Sequence, residues 1–172
     1  HLVPFGEYVP LRRYFPFLGK LAGGIGDFKA GQGFIPIDNG AHKIGVLICY
    51  EGILSEAGRL YKQKGADLFV NITNDAWFGK TSAPYQHLSM TVFRAAENKL
   101  FLARAANTGI SAIIDPTGKI VKQTEIFKRT ILQGEIKYSG ISTLYARYGD
   151  VFAYACFMAL LSIALITSKG EK

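Results

Sequence analysis

One cysteine stands where chemistry is easily arranged. In KIGVLICYEGILSE, residues 43–56, an apolar run leads into Cys49, followed by Tyr50, Glu51 and Gly52. A thiol at a strand end, just ahead of a helix, sits where backbone N–H groups can face a developing oxyanion and where the helix dipole favours a thiolate. A buried structural thiol fits the same place, because cysteine is among the most buried residue types. Glu51, and Asn74 with Asp75 at the end of the next apolar run, add polar groups at one edge of a parallel sheet, where ligands bind in open α/β folds. His42 starts the strand that Cys49 ends, roughly 20 Å away at about 3.3 Å per residue. His87 lies in a helical pattern and reads as a packed or surface residue. A nucleophilic Cys49 would therefore need a carboxylate or a lysine as its base.

The elements that must hold these residues are legible from periodicity and turn chemistry. A strand is expected over His42–Ile48 and a helix from about Ser55 to Lys64, with Gly65 as its C-terminal cap. ADLFVNIT, residues 66–73, is a continuous apolar run of the kind buried on both faces. NDAWFGKTSAP reads as a loop and YQHLSMTVFRAAENK as a helix with Tyr85, Leu88, Val92, Ala95 and Ala96 on one face. LFLARAA is a further strand. GISAIIDPTGKIVKQ is a hairpin around Asp115-Pro116-Thr117-Gly118, and RTILQGEIK, residues 129–137, is another strand. Alternating strands and helices followed by a hairpin indicate a mixed-sheet α/β domain.

Composition narrows the classes. The 172 residues suffice for one domain with a proper core, and 49% hydrophobic against 19% charged residues argues against disorder. A net charge of +7 admits an anionic partner, but the basic residues are scattered and no nucleic-acid-binding motif accompanies them. No nucleic-acid partner is expected. Two cysteines in unlike contexts make no disulfide framework, and three separated histidines make no metal site. The opening HLVPFGEYVP has neither a Met nor an apolar leader core, and reads as the interior of a longer protein.

The tail is different in kind. VFAYACFMALLSIALITS, Val151 to Ser168, carries no charge and is apolar on all faces, so it reads as a membrane-spanning helix rather than a surface helix. Tyr145, Tyr148 and Tyr154 would lie at the headgroup level, with Lys169 and Lys172 at the far end. The competing reading is a packed C-terminal helix.

Taken together, HLVPFGEYVP, GVLICYEG, NITNDAWFGKTSAPYQHL, RAAENKLFLARAANTGISAIIDPTGKI and the apolar tail resemble the C-terminal half of the apolipoprotein N-acyltransferases. These are bacterial membrane enzymes of the nitrilase superfamily. The resemblance implies a partial nitrilase-like αββα sandwich over residues 1–145, then a transmembrane helix and short tail over 146–172. It also implies a Glu–Lys–Cys triad with Cys49 as nucleophile. Glu7 matches a further essential carboxylate. Glu51 matches another, supporting the turn after the nucleophile, although a plain helix-start acid is an equal reading. Tyr50, Asn74 and Trp77 are candidate substrate-binding residues; ordinary core packing competes for Trp77 and Phe78.

The implied reaction moves an acyl group from a phospholipid to Cys49 as a thioester, then to the N-terminal amine of a diacylated lipoprotein, without a cofactor. The implied location is the bacterial inner membrane, the domain facing the periplasm. The loop around RRYFPFLGKLAGG would dip into the bilayer, with Arg12 and Arg13 meeting lipid phosphates. The family's general-base Glu and its Lys belong upstream of HLVPFGE, so these residues alone are expected to be inactive. The alternatives are a carbon–nitrogen hydrolase of the same superfamily, whose thioester is resolved by water, and an inactive membrane-tethered remnant.

Overall fold

The computed structural model describes Leu2, Glu7, Tyr8, Tyr14 and residues 28–170, with side chains described to Thr167 in the last helix. Arg12, Arg13 and nearly all of the apolar loop expected to meet a bilayer lie outside the described residues, as does Lys172. Among the described residues six strands form one mixed sheet in sequence order: β1 Ile37–Asp38, β2 Lys43–Ile48, β3 Leu68–Asn74, β4 Leu102–Asn107, β5 Ala112–Ile114 and β6 Ile120–Gln123. β2, β3 and β4 are parallel, and the pairs at either side are antiparallel. Two helices make the parallel crossovers: α1 (Ser55–Gln63) between β2 and β3, and α2 (Ala83–Asn98) between β3 and β4. Gly65 follows α1 at φ +92°, as the sequence led one to expect.

The period-2 pattern of the strands sets the core. Gly45 and Leu47 on β2, with Phe69, Asn71 and Thr73 on β3, are buried on the face that α1 and α2 cover. Ala57, Tyr61, Leu88, Ala95, Leu100, Leu102 and Ile114 complete that layer. Successive side chains of a strand point to opposite faces, and the opposite face is only partly covered among the described residues. Ile48 and Ile72 are 63% and 54% exposed there. β3 is therefore not sealed on both sides, and the described residues supply one sheet and one helical layer of the expected sandwich.

Two expectations need correction. The segment 129–137 is not a strand. Its backbone joins no ladder among the described residues; it lies against the sheet near Ile113 and Lys122 and is tied by Lys122 Nζ donating to the Gln133 carbonyl at 2.9 Å. A β-propensive run without a backbone partner forms no strand. The second correction concerns NDAWFGKTSAP, which is not all loop: Asp75–Phe78 forms a 3-10 turn.

A short helix, α3 (Leu144–Tyr148), leads into α4 (Val151–Gly170), the expected transmembrane segment. Among the described residues no helix is long and apolar enough to cross a membrane. Every described side chain of α4, from Val151 to Thr167, is exposed, so α4 is not a helix packed into the domain.

Candidate active site

The carboxyl ends of β2, β3 and β4 bring the chemical residues to one edge. Ile48 pairs with Ile72, and Asn74 pairs with Asn107, so the turns that leave β2 and β3 are neighbours. The chain leaves β2 in a five-residue 3-10 turn, Cys49–Ile53, that precedes α1. Cys49 opens that turn at φ +50°, a left-handed conformation that non-glycine residues rarely adopt and that surrounding structure must enforce. The thiol residue is half-buried, so it is neither a sealed core filler nor a surface group.

Glu51 closes the same turn. The Ile48 N–H donates to Glu51 Oε2 at 2.9 Å, although the residue is only 9% exposed. Tyr61 lies nearby and donates its hydroxyl to the Val46 carbonyl at 2.8 Å. Burial, and then the Glu51 charge, push the Tyr61 phenol above its ordinary value. Glu51, Ile48 and Tyr61 line an open cavity of ≈ 560 Å³ together with Phe34 and Tyr8, the neighbour of Glu7. Glu7 itself is half-buried, and its carbonyl accepts from the Phe28 N–H at 3.4 Å.

The second turn is built around Asn74 and Asp75. Asn74 Oδ1 accepts from the Ala76 N–H at 3.2 Å and from Asn107 Nδ2 at 3.0 Å, capping the turn and linking β3 to β4. Trp77, on that turn, is 85% exposed, which excludes core packing for it. Phe78 is half-buried, with its ring 6.1 Å from that of His87 in an edge-on arrangement. Tyr50 lies on the other side, its ring also 6.1 Å from His87.

Beneath the two turns lies a polar cluster that sequence reasoning missed. Arg104 Nη2 donates to Asp75 Oδ2 at 2.9 Å, and both side chains are fully buried. His87 Nδ1 lies 3.0 Å from Asp75 Oδ1, which also accepts from the Thr73 hydroxyl at 3.0 Å. Arg104 further donates to the Ile110 carbonyl, to Thr91 and to Asn71 Oδ1. Burial by itself would raise the Asp75 carboxyl, but the His87 hydrogen bond and the Arg104 charge outweigh it and hold the group below the usual carboxylate value. Gly109 is required here, because a Cβ on it would overlap the Asp75 carboxylate. The available signal was a charged residue inside an apolar strand, Arg104 in LFLARAA, and an amide inside another, Asn71 in LFVNIT. Such groups are buried only with partners.

The geometry thus offers a thiol on a strained turn, a carboxylate closing that turn and a cavity beside it, the arrangement nucleophilic catalysis uses. Among the described residues no group of three His, Cys, Asp or Glu side chains could hold a metal ion. Comparison with known proteins agrees with the fold. The family described as carbon–nitrogen hydrolase matches residues 1–146. An apolipoprotein N-acyltransferase of Geobacter metallireducens is 53% identical over 171 residues, covering 99% of this chain and 33% of that protein. One from Rickettsia prowazekii is 44% identical over 168 residues, covering 96% and 32%. The chain spans about a third of the length of these relatives. A carbon–nitrogen hydrolase structure from Helicobacter pylori superposes with a TM-score of 0.51 at 18% identity, over 57% of this chain and 41% of that one, a likeness of fold alone. With the family's sequence pattern running through all six strands and both strand-end turns, the chain belongs to the carbon–nitrogen hydrolase family.

Proposed function

We propose that the chain is the C-terminal part of an apolipoprotein N-acyltransferase, with Cys49 as its nucleophile. The observation that carries this reading is Cys49 itself, half-buried at φ +50° on the turn where β2 ends; Ile48 and Glu51, which flank it in that turn, line the cavity, and Cys49 itself does not. The Cys49 thiolate attacks the ester carbonyl of a phospholipid; the C–O bond breaks, and the lysophospholipid leaves with a proton. The free N-terminal amine of a diacylated lipoprotein then attacks the thioester, the C–S bond breaks, and the thiol is restored. The residues of this chain hold and aim the thiol. The family's general-base Glu and its Lys are assigned to sequence upstream of these residues, so every test uses the full-length protein. Glu7 and Glu51 serve as supporting carboxylates; Tyr50, Asn74 and Trp77 contact substrate.

In the same reading residues 1–145 are the catalytic portion, and 146–172 form a membrane anchor in the bacterial inner membrane, the domain facing the periplasm. The described side chains of α4 fall short of a full span. Reading the segment as a span takes the whole 20-residue helix, about 30 Å long at 1.5 Å per residue. Its described side chains, from Val151 to Thr167, are uncharged, mostly apolar and exposed, which suits lipid better than water.

The test is acyl-thioester trapping. The full-length protein in detergent is incubated with a fluorescent-acyl phospholipid, then read by intact mass and hydroxylamine sensitivity. A hydroxylamine-labile adduct that vanishes in Cys49→Ala supports the reading. Turnover of small amides without a lipid-derived adduct would move the assignment to a hydrolase of the same family.

A further inference from the structure

The buried cluster ends on the nucleophile's own backbone. Asn71 Nδ2 donates to the Leu47 carbonyl at 2.9 Å and to the Cys49 carbonyl at 3.3 Å. The opposite end of the same amide, Oδ1, accepts from Arg104 Nη1. A side-chain amide has one donor end and one acceptor end. A guanidinium on Oδ1 therefore fixes Nδ2 towards the two carbonyls, and a flipped amide would face Arg104 with donors and the carbonyls with an oxygen.

Arg104 has no freedom of its own, since Asp75, Ile110 and Thr91 accept from three of its other donors and His87 Nδ1 lies 3.1 Å from Nη2. A directed series results, from the Asp75 carboxylate through Arg104 and Asn71 to the residue at φ +50°. The turn also sits directly on this series. A Cβ at Gly52 would lie 3.0 Å from Thr91 Oγ1 and 3.1 Å from Asn71 Nδ2, so a larger residue there would press on both side chains. Burial pushes the Arg104 guanidinium below its ordinary value, and the Asp75 carboxylate beside it acts in the opposite direction.

We propose that Asn71, oriented by Arg104, is the positioning residue that holds Cys49 in its left-handed conformation and so aims the thiol for acyl transfer. The proposal rests on Cys49 being the nucleophile and adds the device that sets it. A left-handed non-glycine residue persists only where its surroundings over-determine it, and Asn71 grips the carbonyls on both sides of Ile48, at Leu47 and at Cys49.

The test compares Asn71→Asp with Asn98→Asp in the full-length protein carrying Cys156→Ala. Asn71→Asp keeps an oxygen for Arg104 but sets a second oxygen against the Leu47 and Cys49 carbonyls. Asn98 is an equally buried amide whose Nδ2 donates to the Arg94 carbonyl and has no bond to the Cys49 turn. Three readouts are taken: iodoacetamide alkylation of Cys49 by peptide mapping, acyl-adduct formation from phospholipid with its rate constant and KM separated, and the thermal midpoint. For Asn71→Asp the expected result is a folded protein whose alkylation and acylation rate constants fall by about tenfold or more, with lipid KM unchanged. Asn98→Asp keeps both rates at temperatures where it is folded. Wild-type rates in Asn71→Asp, or losses that track the thermal midpoint equally in both variants, would overturn the proposal. Should Asn71→Asp not fold, Asn71→Ser removes both ends of the amide without adding charge and is read in the same way. A wild type that alkylates at Cys49 yet takes no acyl group from phospholipid sinks the acyltransferase reading, while the alkylation comparison still decides the role of Asn71.

Discussion

Arg104 and Asp75 form an ion pair from which water is wholly excluded, Nη2 to Oδ2 at 2.9 Å, and only Asn71 separates it from the backbone of Cys49. Burying two charges is favourable only when each is also hydrogen-bonded. Here Thr73 and His87 serve the carboxylate, while Ile110, Thr91 and Asn71 serve the guanidinium. The pair joins β4 to the turn after β3, which places a fully buried charge pair under the site edge.

Breaking one side of this pair leaves the other charge buried and unpaired. Asp75→Leu is expected to lose about 3–5 kcal/mol of stability. Adding Arg104→Met should recover part of that loss, because the orphaned charge goes with it. Urea melts of wild type, both single variants and the double variant give the coupling. A double variant as unstable as the sum of the singles would show that the pair is not coupled as described.

Acid should release the same lock. Asp75 is held below the ordinary carboxylate value of about 3.9, so the folded state binds its proton less readily than the unfolded chain. Its contribution is therefore fully present above about pH 4 and is lost as pH falls through the folded value. Asp115 is also lowered, chiefly by its Thr117 hydrogen bond, and adds a loss of the same sign. Thermal midpoints for wild type and Asp75→Asn, followed from neutral to acid pH, isolate the Asp75 part: the gap between the two curves should narrow on acidification. A constant gap would contradict the assignment.

Much of the scaffold was legible in the sequence because one rule dominated each part. Apolar runs, with β-branched residues in the first two, indicated β2, β3 and β4, and the Asp115-Pro116-Thr117-Gly118 turn indicated the β5–β6 hairpin, closed by the Gly118 N–H on the Asp115 carbonyl at 2.9 Å. Strand status failed for 129–137, since β-propensity says nothing about whether a backbone partner exists. The strand-end placement of Cys49 was readable, but its positive φ was not. In the reading proposed above Asn71 holds that conformation, and its bonds to the Leu47 and Cys49 carbonyls are tertiary. His87 read as a packed or surface residue; it is buried, and its link to Asp75 and Arg104 joins three elements that no local pattern connects.

Glu51 ties a charge to the turn and to Tyr61, so one substitution should move two observables. Glu51→Ala removes a charge-assisted hydrogen bond from the Ile48 N–H and is expected to cost about 1.5–3 kcal/mol. Glu51→Gln keeps an oxygen acceptor and should cost less. In both variants Tyr61 loses the second cause of its raised value, burial remaining the first, so its phenol should ionise at lower pH than in wild type. A spectrophotometric tyrosine titration against a Tyr61→Phe reference reads this directly. An unshifted Tyr61 would mean that the Glu51 charge does not reach it.

Trp77 separates stability from substrate contact more cleanly than any other residue of the site. At 85% exposure it contributes little to the core, so Trp77→Phe should change stability by no more than about 0.5 kcal/mol. An indole so placed, at the rim of the site proposed to receive acyl lipid, has its apolar body available for lipid contact and its N–H for water or headgroups. Trp77 is the chain's single tryptophan, so the emission difference between wild-type full-length protein and Trp77→Phe isolates it from any tryptophan upstream. Without lipid that difference spectrum should have the red-shifted maximum of a hydrated indole. Phospholipid micelles should shift it to the blue, and Trp77→Ala should raise the KM for the lipid donor while leaving the thermal midpoint in place. An emission maximum that stays red-shifted in lipid, with unchanged KM in Trp77→Ala, would remove Trp77 from the substrate-binding set and leave it a solvent-facing residue of the turn.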